Sequence, residues 1–382
     1  MVCTKMKYRK FGSLEWRTAI LALGTGGLPL RDDDPGRFDE PASIATIRLA
    51  IDLGINYLDL GYPYDAARQE RLARLVREAL QDGYREKCKI AITLPSHVIE
   101  SSRHFDLHLD EQLKWLGMEA ADFCLFGRLN REIWPVVRDC GAVKWCEATA
   151  RSGKIGVAGF SFRDHFQFLR TVLAAWDGWH VCQLPFSYMD ADRDPGISAI
   201  KYAAGKGLAV AVCEPLKSGR LIRVVPAASA QPPAMAPGRS LAEWGFRFIW
   251  NYPEVATAIH DARSAVEVAE YAAFAGAAEP DSLTVPEEIW IAEMREARRA
   301  LERIPCKSCR PCMPCPEGID VPRIFELYNE AFAYEDVETA RALYRKELHQ
   351  AGRCTACGVC EGRCVKKLAV IELLEQVHRL LA

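Results

Sequence analysis

The sequence predicts an α/β fold: a (β/α)8 barrel of the TIM type followed by a small, mainly α-helical domain rich in cysteine. Three observations carry that prediction. Short apolar runs alternate with longer amphipathic ones from Thr18 to about Ala278. The glycines after the first run do not form a dinucleotide fingerprint. Eight of the 15 cysteines fall in the last 77 of 382 residues, in two tight groups.

The apolar runs Thr18–Leu23, Ile55–Leu60, Lys89–Leu94 and Asp122–Phe126 read as strands. Gly156–Phe160, Val181–Leu184, Leu208–Val212 and Val255–Ile259 complete the set. Most lack polar/apolar alternation, as do strands of a parallel sheet buried on both faces. Between them lie helical patterns. Ser43–Leu53 places Ile44, Ile47 and Ile51 at helical spacing, with Gly54 as a stop; Gln69–Leu80 carries Leu72, Leu75, Val76 and Leu80. His108–Leu116, Glu132–Gly153, Phe166–Trp176, Ile197–Gly207 and Leu241–Trp250 continue the series. Eight strands with interleaved helices over about 260 residues have the size and rhythm of a closed barrel. The rival is a doubly wound open sheet, but Gly24-Thr25-Gly26-Gly27-Leu28-Pro29 does not supply that fold's phosphate-binding turn.

Charge is close to balanced, 49 Lys and Arg against 51 Asp and Glu, so no electrostatic pull towards nucleic acid or anionic membrane is expected. No apolar run approaches the roughly 20 residues of a membrane helix. Met1 to Lys7 holds no apolar stretch of signal-peptide type. The expectation is a cytoplasmic protein with neither a nucleic-acid nor a membrane partner.

Several motifs then resemble a known family. Lys7-Tyr8-Arg9-Lys10-Phe11-Gly12, Leu23-Gly24-Thr25-Gly26 and Gly54-Ile55-Asn56-Tyr57-Leu58-Asp59 look like the opening of an aldo-keto reductase. So do Gly153-Lys154-Ile155-Gly156-Val157-Ala158-Gly159-Phe160-Ser161 and Glu214-Pro215-Leu216-Lys217-Ser218-Gly219. The likeness runs from about residue 6 to 275, and the chain is similar to the subfamily with a C-terminal ferredoxin-like tail. It implies a barrel opened by an N-terminal hairpin and binding NADP(H) without a Rossmann fold. The expected domains are a barrel over residues 1–278, a connecting segment and helix over 279–303, and a ferredoxin-like iron–sulfur domain with a C-terminal helix over 304–382.

The resemblance also implies a catalytic site. In the family a Tyr hands a proton to a carbonyl oxygen as hydride reaches carbon; an Asp and a Lys lower its pKa, and a His orients the carbonyl. Asp59 and Tyr64 match the Asp and the Tyr. Thr93 and Gly127 occupy the Lys and His positions; threonine carries no fixed charge, and glycine has no side chain at all. These losses are expected to enlarge the barrel mouth, with Arg128, His97 and Arg163 as the polar residues nearby. For the cofactor, Ser161 and Gln183 match residues that hold the nicotinamide carboxamide. Phe162 replaces the usual Asn, and Cys213 a stacking Tyr. Leu216, Ser218 and Gly219 belong to a loop able to wrap a pyrophosphate through backbone N–H groups. Arg263 and Ser264 would attract phosphate, and Asp261 would repel it.

The tail carries the strongest motif. Cys306, Cys309, Cys312 and Cys315 form one group and Cys354, Cys357, Cys360 and Cys364 the other. Three thiolates at two-residue spacing plus a remote one suit a cuboidal cluster, whereas zinc sites take paired Cys-x-x-Cys ligands. The tail resembles bacterial two-cluster ferredoxins over residues 304–368. That likeness implies two 4Fe-4S clusters, one on Cys306, Cys309, Cys312 and Cys364, the other on Cys354, Cys357, Cys360 and Cys315. The proline-rich stretch Val225–Pro237 reads as a loop over the barrel mouth.

The function expected is an iron–sulfur oxidoreductase, coupling one-electron transfer through the clusters to oxidation or reduction of a small organic molecule at the barrel mouth. A ferredoxin or another redox protein would be its partner. Two alternatives stand beside it: an NADP(H)-dependent carbonyl reductase with a rebuilt site, and a non-catalytic barrel serving electron transfer or docking.

Overall fold

The structure, a computed structural model, describes residues 5–32, 34, 36–62, 64–222, 238–346 and 350–382. They fall into two compact units, one within Met1–Ser218 and Arg239–Leu283, the other within Gly219–Gly238 and Thr284–Ala382.

The first unit begins with an antiparallel hairpin, β1 (Tyr8–Lys10) and β2 (Arg17–Ala19). Eight parallel strands follow: β3 (Leu21–Gly24), β4 (Tyr57–Asp59), β5 (Lys89–Leu94), β6 (Ala121–Leu129), β7 (Ile155–Phe162), β8 (Val181–Pro185), β9 (Ala209–Cys213) and β10 (Val255–Asp261). Each pairs with the next, and β10 closes on β3, so the sheet is a closed barrel and not an open doubly wound sheet.

The barrel is filled by side chains from its own strands. Tyr57, Phe123, Ala91, Val181, Ala209 and Ala211 pack together, large against small. Phe11, fully buried, joins them from the hairpin, its ring 5.1 Å from Phe123 and 5.5 Å from Tyr57. Burying a side chain as large as Phe11 or Phe123 stabilises the fold by roughly 1.5–3 kcal/mol.

The helices between strands follow the apolar periodicity, but side-chain caps set their starts. Glu40–Asp52 begins where the Asp39 carboxylate accepts the Ala42 N–H at 3.0 Å. Asp65 does the same for Ala66–Ala79, accepting from Arg68 N at 3.0 Å. One expectation fails. Glu132–Gly153 is not a single helix but two, Ile133–Asp139 and Ala142–Arg151, because Gly141 between them lies at φ +91°, outside helical backbone.

The second unit holds helices Val285–Arg299, Val321–Ala333, Val337–Lys346, Val359–Arg363 and Val370–Leu381. Ile319, Ile324, Phe325, Leu327, Leu374 and Val377 form its core, with Cys306, Cys312, Cys315, Cys354 and Cys364 packed against it. Residues 347–349 lie outside the described residues, as does the proline-rich Val225–Pro237.

Candidate functional site

The C-terminal ends of β10, β3 and β4 bring three positions to one level. Gly24 is the register partner of both Asp261 and Asp59. Its missing side chain is what seats Asp261: a Cβ on Gly24 would come within 2.3 Å of the Asp261 carboxylate. Asp261 Oδ1 accepts the Gly26 N–H at 3.0 Å. Asp59 is buried and accepts from Gly61 N at 2.7 Å and from Gln183 Nε2 at 2.9 Å. Burial pushes its carboxyl up to about 6; the charge of Asp261 adds to the rise, while the two hydrogen bonds restrain it.

Tyr64 stands at the rim, 45% exposed, and its hydroxyl accepts from the Arg128 guanidinium. That guanidinium lies 5.4 Å from the Tyr64 ring centre and 6.0 Å from that of Tyr62. Arg128 is aimed there by an irregularity in β6. The β6/β7 register shifts between Phe126 and Leu129, and Arg128 takes a left-handed φ of +54°, a strained choice for a side-chain-bearing residue.

Tyr62 decides the shape of the mouth. Its ring edge packs on Tyr64 at 4.5 Å between centres, and its hydroxyl bonds His97 Nδ1. Burial pushes the Tyr62 hydroxyl up to about 12. His97 itself is held below its ordinary value, first by burial and then by His108. A Cβ on Gly127 would meet Tyr62 Cε2 at 2.2 Å. The space over Gly127 is therefore filled by an aromatic ring from the loop after β4. The expected enlargement of the mouth does not occur there. Thr93, at the Lys position, is buried at the end of β5, its carbonyl accepting from Gln112 Nε2 at 3.0 Å. Arg163 pairs with Glu214 across the ends of β7 and β9.

The residues matched to a nicotinamide cofactor are brought to the same end of the barrel but are engaged within the protein. Ser161 Oγ accepts the Arg128 N–H at 2.6 Å. Gln183 gives its N–H to Asp59, leaving its Oε1 buried with no partner among the described residues. In the Leu216–Gly219 loop, Leu216 is buried, and Lys217, Ser218 and Gly219 take φ of +49°, +57° and +82°. The Lys217 ammonium donates to Asp190 at 2.9 Å. Arg263 is turned onto the Ser218 carbonyl at 2.7 Å. Ser264 caps helix Ala265–Ala277, accepting from Glu267 N at 3.2 Å, while the Glu267 carboxylate takes the Arg263 N–H at 2.8 Å. The helix start thus carries its own anion. With Asp261 beside it, the phosphate end does not fit a dinucleotide.

Tyr62, Glu267 and the Asp59–Asp261 relation escape a reading of the sequence. Tyr62 was in plain view two residues before Tyr64; only its contact with Gly127 gives it meaning.

In the second unit the two cysteine segments repeat one backbone course. Ser308 and Ala356, each two residues after the first cysteine, are left-handed at φ +52° and +55°. Each sends its N–H to that cysteine's sulfur, Cys306 or Cys354, at 3.4 Å. Two residues further, Arg310 and Gly358 are again left-handed, at +62° and +75°. After the fourth cysteines the match resumes: Gly318 and Lys367 have φ of +71° and +50°, and each N–H returns to the carbonyl of Cys315 or Cys364 at 3.0 Å.

The sulfurs group crosswise. Cys306 feels the charges of Cys309 and Cys364, and Cys312 those of Cys306, Cys309 and Cys364. Burial, then those neighbours, pushes the Cys312 thiol up to about 11. Cys315, Cys354, Cys357 and Cys360 line one cavity of about 360 Å3, its open mouth included, together with Cys312 and Leu374. Among the described residues no three His, Cys, Asp or Glu side chains close on a single metal ion. A cuboidal cluster, bound by one thiolate per iron, does not require that they should. The all-thiolate donor set fits such a group.

The barrel sequence matches the model of the aldo/keto reductase family over residues 21–275, about two thirds of the chain. The chain belongs to the aldo/keto reductase family. Solved structures agree on the fold. An aldo-keto reductase from Bacillus halodurans is 20% identical in its holo form, with a TM-score of 0.61, covering 76% of this chain and 96% of that one. Its apo form gives 21% and 0.57 over the same shares. A thermostable aldo-keto reductase in complex with the inhibitor epalrestat gives 19% and 0.59, over 76% of this chain and 100% of that one. Among curated proteins, none matches the chain. No described helix is long and apolar enough to cross a membrane. The family match ends before the cysteines of the second unit.

Proposed function

We propose that this aldo/keto reductase family member is an iron–sulfur oxidoreductase of the subfamily with a two-cluster ferredoxin-like tail, taking a small organic molecule at the barrel mouth. The observation that carries this reading is the repeated backbone course around Cys306–Cys315 and Cys354–Cys364, with N–H groups aimed at cysteine sulfurs in both copies. Eight thiolates in that arrangement would hold two 4Fe-4S clusters, which supply one-electron chemistry when bound.

In the barrel, the chain's own residues handle protons. Asp59, with its carboxyl near 6, can hold or release one close to neutrality. Tyr64 offers a rim hydroxyl whose anion the Arg128 guanidinium would stabilise, a role the missing Lys would otherwise fill. Tyr62 and His97 orient a second hydroxyl in the place of the missing His. The NADP(H)-dependent carbonyl reductase has one observation in its favour, the unpartnered Gln183 Oε1, which would accept from a carboxamide. Asp261 and Glu267 oppose it at the phosphate end, and no step is derived through a dinucleotide.

The test is anaerobic purification followed by iron and acid-labile sulfide assay, then EPR after dithionite. About eight of each per chain, with a cubane signal, supports the reading. A protein purified intact that holds zinc, or neither iron nor sulfide after reconstitution, overturns it.

A further inference from the structure

The two cysteine sets repeat each other in backbone but not in surroundings. Around Cys306 and Cys364, Lys307, Arg363, Lys366 and Lys367 are all exposed, and between them Val365 is 70% exposed. None of the four cations forms an ion pair among the described residues, although neighbouring arginines do: Arg310 with Asp320 at 3.0 Å and Arg323 with Glu326 at 2.6 Å. Glu326, whose charge reaches Cys306, is thus already matched. The other set carries one cation and two carboxylates: Arg353 precedes Cys354, while Glu317 and Glu361 follow Cys315 and Cys360, Glu361 lying three residues before Cys364.

Lys307 and the 363–367 segment adjoin cysteines that pack against one apolar core, Cys306, Cys312 and Cys364. Tight turns hold both segments close over the sulfurs: Ser308 N donates to Cys306 and Leu368 N to Cys364, each at 3.4 Å. Val365 is thus exposed between Arg363 and Lys366, next to Cys364, while Lys307 follows Cys306 of the same set. Charges of one sign around a small apolar centre steer and orient an oppositely charged protein.

We propose that this face, built from Lys307, Arg363, Val365, Lys366 and Lys367, is the docking site for an acidic electron-carrier protein, which would exchange electrons at the cluster on Cys306, Cys309, Cys312 and Cys364. The proposal rests on the iron–sulfur reading and adds to it the identity of the exchanging set and the charge of the partner. Electrons entering or leaving through the other set would meet no such surface.

The experiment uses the full chain, purified anaerobically, with an acidic two-cluster ferredoxin as probe and binding read by calorimetry at about 50 mM and about 300 mM salt. The expected result is binding that weakens with salt and falls roughly tenfold or more in K307E/K366E/K367E, with K366R/K367R retaining it. Each variant's iron and sulfide content is measured alongside. Unchanged affinity in the charge-reversed variant, at wild-type iron and sulfide, overturns the docking site and leaves the iron–sulfur reading standing. Equal binding of a basic cytochrome c does the same. Wild-type protein without iron and sulfide overturns both.

Discussion

The ring of Tyr62 occupies the space that any side chain at position 127 would need, with Tyr62 Cε2 only 2.2 Å from where a Cβ on Gly127 would lie. The bare Cα at position 127 and the placing of the Tyr62 ring therefore depend on each other. They hold only as a pair, and the pair gives the barrel mouth a second hydroxyl instead of a larger opening.

Gly127→Ala is accordingly expected to destabilise the protein by about 1–3 kcal/mol, the usual effect of overpacking a filled site. Tyr62→Ala removes the ring but not the Leu94 carbonyl, which would lie 2.9 Å from the same Cβ, so the double variant should regain only part of the loss. Thermal unfolding followed by near-ultraviolet circular dichroism measures both. Additive losses in the double variant would contradict the contact.

The Asp59 carboxyl, raised to about 6 in the fold against about 3.9 in the unfolded chain, makes a signed pH prediction. Between about pH 4 and 6 the folded state binds more protons than the unfolded one, so this group lowers stability as pH rises and exerts its full effect above 6. Asp59→Asn cannot ionise. Its stability relative to wild type should increase from pH 5 to 7.5, towards a limit of about 3 kcal/mol, and then stay level. A difference in denaturation midpoints that is flat across this range would count against the raised value.

Crosswise sharing of the two cysteine sets predicts which double substitutions cost one cluster and which cost two. On the iron–sulfur reading, Cys306→Ser with Cys364→Ser should leave about half the iron and sulfide, because both would serve one cluster. Cys306→Ser with Cys315→Ser should remove nearly all of it. The reverse pattern, about half lost in the Cys306/Cys315 variant and nearly all in the Cys306/Cys364 variant, would argue for sets that are separate in sequence.

The self-capped start of helix Ala265–Ala277 predicts weak nucleotide binding in the wild-type protein. Replacing the two carboxylates, in Asp261→Gly with Glu267→Gln, should tighten NADPH binding at least roughly tenfold, as judged by quenching of protein fluorescence. If the wild type already binds as tightly as the variant, the carboxylates do not guard the site.

By itself the sequence determined the barrel and the helical cysteine tail, because each of these depends on short-range pattern, while the hairpin followed from the family resemblance. Buried parallel strands are apolar throughout, helices repeat every three to four residues, and the spacing of Cys306, Cys309 and Cys312 is local. Pattern failed where one residue's conformation mattered. Gly141 looks like a tolerable interior glycine, yet its positive φ splits the helix expected over Glu132–Gly153.

The candidate site was legible only in part. Asp59, Tyr64, Ser161 and Gln183 could be placed because each ends or follows a recognisable strand. What surrounds them is set by closure of the barrel, which brings together residues far apart in the chain. Asp261 reaches the level of Asp59 across Gly24, Arg128 meets Tyr64, and Tyr62 fills the place above Gly127. Hydrogen bonds, burial and the electrostatic pressure on Asp59 depend on those distances, and no spacing along the chain encodes them. The residue types came from sequence; their partners, and hence their chemistry, were decided by tertiary structure.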